Sequence, residues 1–483
     1  MGRRVIVTIM RTAIVWLRRD LRLRDHPALC AALERSERIV PVFCFDDLLL
    51  HGRHASGPRT QFLLECLADL DRGLRERGSG LVVRHGRPIT ELIQMSREVG
   101  ARDIHATGDV GPYARRRDRR VSGALADAGI ELHLHPGVNV IDVAAVSTGA
   151  GKAYTVFSPF FRAWEEAERR PVLQASGEIA PLPSGLKKGR IPALSALGLE
   201  QEVEEPPRGG ASDAHRALDR FLAGPVSEYA DGRDALGGDG TSRLSPYLHF
   251  GCISPRQIED RLGRGKGPAA YRRQLAWRDF HHHVLLHHPR NARSELRDRY
   301  RGTIRWSRAR RPFEAWCEGR TGFPLVDAGM RQLRREGWMH NRARLVAGSF
   351  LTKDLGIDWR WGERHFMRLL VDGDEANNNG NWQWIASVGT DPQPAFRRIY
   401  NPARHQERFD PENRYVRRYV PELRGVPDPY MSEPWTMPAE LQHESGCVIG
   451  EQYPAPLVDH RLAREEALER YRLTAPPEPG EGR

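Results

Sequence analysis

The sequence predicts an α/β domain built on a doubly wound parallel sheet, then a long linker, then an all-helical domain. Three observations predict it. The first third alternates short apolar runs with amphipathic stretches, a Pro-, Gly- and Ser-rich break follows at about 149–207, and helical patterning resumes after Ala211 and lasts nearly to the end. Short buried strands alternating with helices are what a sheet covered on both faces requires.

Taken in order, residues 13–17 (AIVWL) read as a strand, 27–33 begin a helix, 39–45 (IVPVFCF) read as a strand and 60–77 as a long helix. A strand at 81–84 (LVVR), a helix at 89–99, a strand at 104–107, a helix within 115–127 and a strand at 131–134 complete the alternation. Such sheets bind ligands at the carboxyl ends of their strands. Pro171, Pro181, Pro183, Pro192, Pro206 and Pro207 then interrupt any periodicity. The helical region opens with clear starts at Ser245-Pro246 and Ser254-Pro255, each a capping hydroxyl followed by proline in the first turn. The resulting divisions are an N-terminal extension (1–11), an α/β domain (12–140), a linker (141–210), a helical domain (211–473) and a disordered tail rich in Pro, Gly and Glu (474–483).

Composition bounds the function. The chain has 483 residues, and no apolar run approaches the roughly 18 residues of a membrane span. The first twelve residues lack a small-residue cleavage site and read as an extension before the first strand, not a signal peptide. Six cysteines (Cys30, Cys44, Cys66, Cys252, Cys317, Cys447) form no Cys-x-x-Cys pair, which fits a reducing cytoplasm without disulfides or a zinc site. The formal net charge is +11, which suits a polyanionic partner. Only five of the basic residues are Lys, however, and a GC-rich genome alone yields that arginine bias, so local clustering has to carry the nucleic-acid argument.

Four segments carry chemistry. Residues 237–251 (GGDGTSRLSPYLHFG) combine glycines, the hydroxyls of Thr241, Ser242 and Ser245, the charge of Arg243 and a helix start, which together make a phosphate cradle or a plain capped turn. Neither a P-loop nor a Rossmann fingerprint is present. Residues 371–394 set Asp372 and Asp374 near Asn377, Asn378, Asn379, Asn381, Trp382 and Trp384; so many short polar groups suit a polar heterocycle or a solvated turn. In 337–353, Asn341 and Leu345 share a helix face, with Arg342 and Arg344 beside them. In 271–284, Gln274, Trp277 and Arg278 share a face, offering an amide, an indole and a guanidinium to an extruded base, or forming an ordinary amphipathic helix. The histidines at 281–283, with His287 and His288, read as a polar helix face in preference to a metal site, and no metal is expected.

Five blocks, VWLRRDLRLRDHPAL (15–29), DGTSRLSPYLHFG (239–251), QLAWRDF (274–280), GWMHNRAR (337–344) and DGDEANNNGNWQW (372–384), resemble the signature blocks of the photolyase/cryptochrome family in order and spacing, over about 12–471. The likeness is to bacterial class I photolyases that act on cyclobutane pyrimidine dimers. It implies an antenna-chromophore domain followed by a helical FAD domain. On the matching positions, Tyr229, Thr241, Ser242, Arg243, Leu244 and Ser245 would hold the FAD phosphates, and Asp372 and Asp374 would contact flavin and ribose. Asn378 would face flavin N5, and Arg344 would pair with Asp372. Trp277 and Trp384 would flank a flipped dimer, and Arg233, Arg278, Asn341, Arg342 and Arg397 would meet DNA or line its pocket. Trp382, Trp359 and Trp306 match the family's electron-transfer tryptophans. Trp306 lies in 297–311, where seven of fifteen residues are Arg, as suits an exposed terminal donor beside a phosphate-binding surface.

Two positions depart from the dimer-specific pattern. Gln274 stands where Glu is common, and Leu345 where Met is common. The (6-4) photolyases resemble one another in two histidines that here are Asn341 and Leu345, which leaves that chemistry without its acid; His340 should point off the face. Dimer repair is therefore the reading, with a cryptochrome-type blue-light photoreceptor and a (6-4) photolyase as alternatives. Residues 107–118 (TGDVGPYARRRD) resemble antenna domains that bind 8-hydroxy-deazaflavin more than those that bind methenyltetrahydrofolate, with Asp109 as candidate ligand. DNA containing pyrimidine dimers is the expected partner, and a cytoplasmic monomer the expected state.

Overall fold

A computed structural model describes residues 11–174 and 177–474. The extension before residue 11 and the tail after 474 lie outside the described residues. Five strands, β1 (Thr12–Leu17), β2 (Arg38–Phe45), β3 (Val82–His85), β4 (Asp103–Thr107) and β5 (Glu131–His135), form one all-parallel sheet in the order β3-β2-β1-β4-β5. Helices α1 (Pro27–Arg35), α2 (Gly57–Glu76), α3 (Pro88–Val99) and α4 (Pro112–Asp127) connect or cover it.

β1 is buried along its whole length, so its residues serve two cores in alternation. Ile14 and Trp16 pack with Val40, Val42, Ile104, Leu92 and Leu125 on the α3/α4 side. Ala13, Val15 and Leu17 pack on the other side with Phe62, Leu67 and Leu70 of α2, and that core continues into the helical domain through Phe221, Tyr247, Phe250 and Phe280. Chain order reverses between β1 and β4, so the loops after these two strands diverge and leave a crevice at their carboxyl ends.

The linker holds more local structure than its sequence signalled. The linker contains a helix, α5 (Phe157–Glu166), whose Phe157, Phe160 and Trp164 are buried at helical spacing. Pro159 falls in its first turn, where proline costs no hydrogen bond. Trp164 Nε1 donates to the buried Asp279 carboxylate at 3.0 Å, fixing α5 against the helical domain.

In that domain the elements that matter are α6 (Ser245–Phe250), α7 (Lys266–His287), α8 (Asn341–Ser349), α9 (Trp359–Leu369) and α10 (Glu375–Ile385). α10 packs against α7, α8 and α9. Its close approach to α7 depends on Gly380, where a Cβ would lie 2.1 Å from the His281 ring. His281, His282 and His283 are accordingly buried, not a polar face. His282 lies 3.2 Å from Asp374 and 2.9 Å from the Asn139 amide, and His283 accepts from Tyr154 N–H at 3.0 Å. Burial, with His282 adjacent, pushes His281 down to about 4.

Candidate active site

The loop ahead of α6 is built to receive an anion. Leu244 occupies the N-cap of α6 and gives no side-chain cap, so first-turn N–H groups are left without the usual partner. Ser245 and Arg243 are exposed, and Arg243 holds a left-handed conformation at φ 50°. The Ser242 hydroxyl hydrogen-bonds with Tyr271 at 2.8 Å, and Tyr271 packs edge-on against Tyr229 at 5.1 Å. A small cavity of about 80 Å³ adjoins the loop, lined by Thr241, Arg243, Trp338, His340, Arg414 and Arg418 among others. Uncapped N–H groups, hydroxyls and arginines are a donor set that fits a pyrophosphate, with Ser245 accepting from Trp338 at 3.3 Å and Arg243 paired with Glu336 at 3.1 Å.

Arg344 extends from α8 to Asp372, with both guanidinium nitrogens on the carboxylate at 2.8 and 3.3 Å. That is the predicted pair. Asp372 and Asp374 then part company. Asp374 caps α10, accepting from Asn377 N–H at 2.9 Å, and its other oxygen takes Arg19 of the α/β domain at 2.6 Å. Burial would raise Asp374, but Arg19 and His282 outweigh it and hold it well below the carboxylate range. Asp374 therefore lines the interdomain crevice.

Asn378 follows one turn along α10. Its amide donates to the Glu363 carbonyl at 3.0 Å and approaches the Glu363 carboxylate at 3.4 Å. Glu363 is buried, which raises it, and Arg53 stands 3.4 Å away. Sequence reasoning missed Glu363: a lone Glu on an amphipathic helix carries no signal until Asn378 is placed beside it.

The tryptophans divide into two groups. Trp382 and Trp359 are buried, while Trp306 is half-buried among exposed arginines. Trp382 sits against Phe366 at 4.9 Å and Trp316 at 6.1 Å, and Trp306 lies 6.5 Å from Tyr471. Trp277 and Trp384 are partly buried, each with one face covered. Phe157 of α5 stacks on Trp277 at 3.7 Å and 5°, and Arg398 covers Trp384 at 3.6 Å. Phe157 escaped notice because its segment read as linker.

The expected DNA-contacting residues separate similarly. Asn341 and Arg397 are exposed, and Gln274, Arg233 and Leu345 are partly so. Arg342 is engaged by Asp234 at 2.8 Å and lies over the Phe409 ring. Arg278 is a correction. Its guanidinium donates to the carbonyls of Val138 and Leu248 at 2.6 and 3.4 Å, so it braces the domains from within. His340 turns inward as the N-cap of α8, accepting from Arg342 N–H at 3.1 Å.

The second feature is a cavity of about 900 Å³ in the crevice beyond β1, β2 and β4. Phe43, Leu50 and Val110 supply apolar walls, and Asp46, Arg59 and Asp109 are among its charged groups. Arg19 bridges Asp109 at 3.2 Å and Asp374, joining the two domains across it. Burial favours neutral Asp109, but Arg19 and His282 hold it ionised, well below the usual range.

A parallel α/β domain with a ligand-sized crevice, joined to a helical domain whose donors fit a dinucleotide, defines a two-domain cofactor-binding protein. Residues 13–182 match the family model described as DNA photolyase, and 271–473 match the FAD binding domain of DNA photolyase. The chain is 44% identical to a deoxyribodipyrimidine photo-lyase of Streptomyces griseus, over 94% of this chain and 98% of that one. It superposes on a bacterial class III photolyase from Agrobacterium tumefaciens with a TM-score of 0.90 at 33% identity, covering 98% and 99% of the two chains. A Synechocystis cryptochrome gives 0.87 at 29% identity, covering 95% and 99%. The chain belongs to the photolyase/cryptochrome family and carries its FAD-binding domain. Among the described residues no helix is long and apolar enough to cross a membrane.

Proposed function

We propose that the protein is a DNA photolyase that uses light to split cyclobutane pyrimidine dimers. The observation that carries this reading is the packing of α10, bearing Asn378, Trp382 and Trp384, against the helices that bear Trp277 and Arg344. FAD, when bound in reduced form, would supply the light-driven electron donation that cyclobutane splitting needs. The chain's own residues bind, orient and keep water out.

Thr241, Ser242, Ser245 and the α6 amides hold the phosphates, with Tyr229 behind them. Arg344 is held on Asp372 by two hydrogen bonds, and Glu363 fixes the amide of Asn378 so that its orientation is set before any ligand arrives. Trp382, Trp359 and Trp306 mark a line from the core to the arginine-rich surface along which an electron can be resupplied, since tunnelling in short steps is far faster than one long jump. Phe157 and Arg398 hold the Trp277 and Trp384 rings in fixed planes, which favours stacking with extruded bases. Asn341, Arg233 and Arg397 supply polar and phosphate contacts, with Gln274 and Leu345 toward the lesion. The large cavity takes an antenna chromophore, 8-hydroxy-deazaflavin in preference to methenyltetrahydrofolate. Its apolar walls suit a flat ring, and Asp109 supplies an ionised acceptor.

The test uses photoreduced protein and an oligonucleotide with one cyclobutane thymine dimer, in blue light and in darkness, with a (6-4) oligonucleotide in parallel. Light-dependent loss of the cyclobutane dimer alone is expected. If FAD-loaded protein repairs neither lesion, the photoreceptor reading replaces this one.

A further inference from the structure

Residues 297–311 hold seven arginines and one acid, Asp298, and the structure divides the seven. Arg297, Arg299 and Arg301 turn back on the fold. Arg297 donates to the Asp391 carbonyl, Arg299 lies over the Tyr300 ring and donates to its hydroxyl at 2.6 Å, and Arg301 pairs with Asp298 at 2.6 Å. Arg305, Arg308, Arg310 and Arg311 are exposed and make no hydrogen bond or ion pair with any described residue. These four bracket Trp306 in the chain. A parallel bridge between Ser307 and Ile357, with Ser307 N–H on the Gly356 carbonyl at 2.8 Å, fixes the segment. Trp306 itself is half-buried, with Tyr471 of the last helix (His460–Arg472) edge-on at 6.5 Å.

Two of the four sit where they cost local stability. Arg310 and Arg311 open the helix Arg310–Glu318, whose N-cap, Ala309, supplies no side-chain acceptor and whose first turn has no acid. The positive end of a helix dipole disfavours cations. A GC-rich genome accounts for arginine in general. It does not account for four unpartnered guanidiniums collected around one half-buried indole, two of them at such an end.

We propose that this surface docks an acidic one-electron carrier protein, of the ferredoxin or flavodoxin class, which returns an electron to Trp306. The inference rests on the reading of Trp382, Trp359 and Trp306 as an electron line. Trp306, left as a radical cation once it has passed an electron inward, takes one electron and returns to the neutral indole. The carrier is oxidised by one electron, no bond forms or breaks, and no proton moves. Tunnelling falls steeply with distance, so the donor must seat close to the indole. A cluster of positive charge concentrates a negatively charged donor there and orients it. DNA is the other polyanion such a surface could meet. A duplex laid over Trp306 would shut off its electron supply while the enzyme works, so the entry point needs a surface that DNA leaves free.

Full-length, FAD-loaded protein would be titrated with an acidic plant-type ferredoxin, and binding followed by sedimentation velocity. Light-driven flavin reduction would be timed with reduced ferredoxin or with dithiothreitol, an uncharged donor, and dark controls subtracted. A complex is expected that weakens about tenfold or more between low and high salt, as exposed charges are screened. The double variant Arg308→Glu with Arg311→Glu should lower ferredoxin affinity and the ferredoxin-driven rate about tenfold and leave the dithiothreitol rate unchanged. Neither guanidinium holds the fold, so stability should not change. Trp306→Phe should abolish photoreduction by both donors and keep ferredoxin binding. If Trp306→Phe is photoreduced as fast as wild type, the electron line falls and this role with it. Absence of a salt-sensitive complex, or equal ferredoxin-driven rates in wild type and the double variant, would overturn the docking site alone. Loss of duplex affinity in the double variant with ferredoxin binding intact would overturn it too, and give the arginines to DNA.

Discussion

In the interdomain cavity Arg19 is pinned between Asp109 and Asp374, and His249 and His282 close on Asp374. Along the 241–245 loop Ser245 and Arg243 are exposed, and α6 begins without a side-chain cap. The charged groups of the cavity pair chiefly with one another; at the loop the amides that open α6 are left for a ligand, while Arg243 holds Glu336 at 3.1 Å and the Ser245 hydroxyl accepts from Trp338 at 3.3 Å. Buried charges must be paired to be tolerated, so a large crevice between domains keeps its shape only if its arginines and carboxylates bind each other. A phosphate site at the surface bears no such constraint, because water serves its donors until the ligand displaces it. The difference teaches that the two sites should respond in opposite ways to charge removal: domain geometry suffers at the cavity, and occupancy at the loop.

The largest effect should come where the two regimes meet, at the Arg344–Asp372 pair. Asp372 is 4% exposed, and Arg344→Ala leaves its carboxylate buried without a partner. A loss of about 3–5 kcal/mol in unfolding free energy is expected, together with loss of bound FAD on gel filtration. Arg344→Lys should recover part of both, since one of two hydrogen bonds can re-form.

Next is Trp277→Ala. Stacking on an aromatic platform contributes about 1–3 kcal/mol per base, so affinity for dimer-containing oligonucleotide should fall by roughly 5- to 150-fold. Flavin content should hold. Phe157→Ala is the sharper variant. It leaves the indole in place but frees its plane, and a measurable weakening there would show that α5 is part of the DNA site.

These residues also show what the sequence made legible. β1 and β2 were readable as apolar runs of parallel-sheet length and the more polar β3, β4 and β5 through their place in the strand–helix alternation, and the switch-point crevice follows from their order. The helical site was readable only as motif, through blocks such as 372–384, because a helix buried on several sides loses its amphipathic period. What escaped depended on partners distant in sequence. α5 hid among prolines until α7 gave Phe157 and Trp164 something to pack on. Glu363 means nothing without Asn378. The histidines of α7 looked solvated because polar residues usually are, and burial became possible only through Gly380 and the acceptors Asp374 and Val143.

Acid separates the regions further. Burial, then Arg19, pushes His249 down to about 4, and burial pushes His340 to about 4. Both are neutral in the fold, while the unfolded chain takes up protons below about 6.5. A folded value below the unfolded one means stability falls as pH drops from about 6.5 toward 4, by up to about 1.4 kcal/mol per pH unit for each histidine. Urea midpoints from pH 7 to 5 should fall accordingly. His249→Gln should flatten the slope by one proton, and a slope unaffected by it would assign the acid sensitivity elsewhere.

The smallest effect is expected from Asp374→Asn, which tests whether the cavity truly satisfies itself. Asparagine caps a helix about as well as aspartate, so α10 should keep its start. One oxygen still accepts, and Arg19 retains Asp109 at 3.2 Å, so the bridge between the domains loses one of two anchors. The cost should be about 1 kcal/mol in stability. His249, relieved of the carboxylate, should also titrate at lower pH. FAD content should stay at the wild-type level, because the Arg344–Asp372 pair is untouched by the change. If FAD is lost while the domains stay locked, Asp374 belongs to the flavin site, and the division between a self-satisfied cavity and a ligand-satisfied loop does not hold at α10.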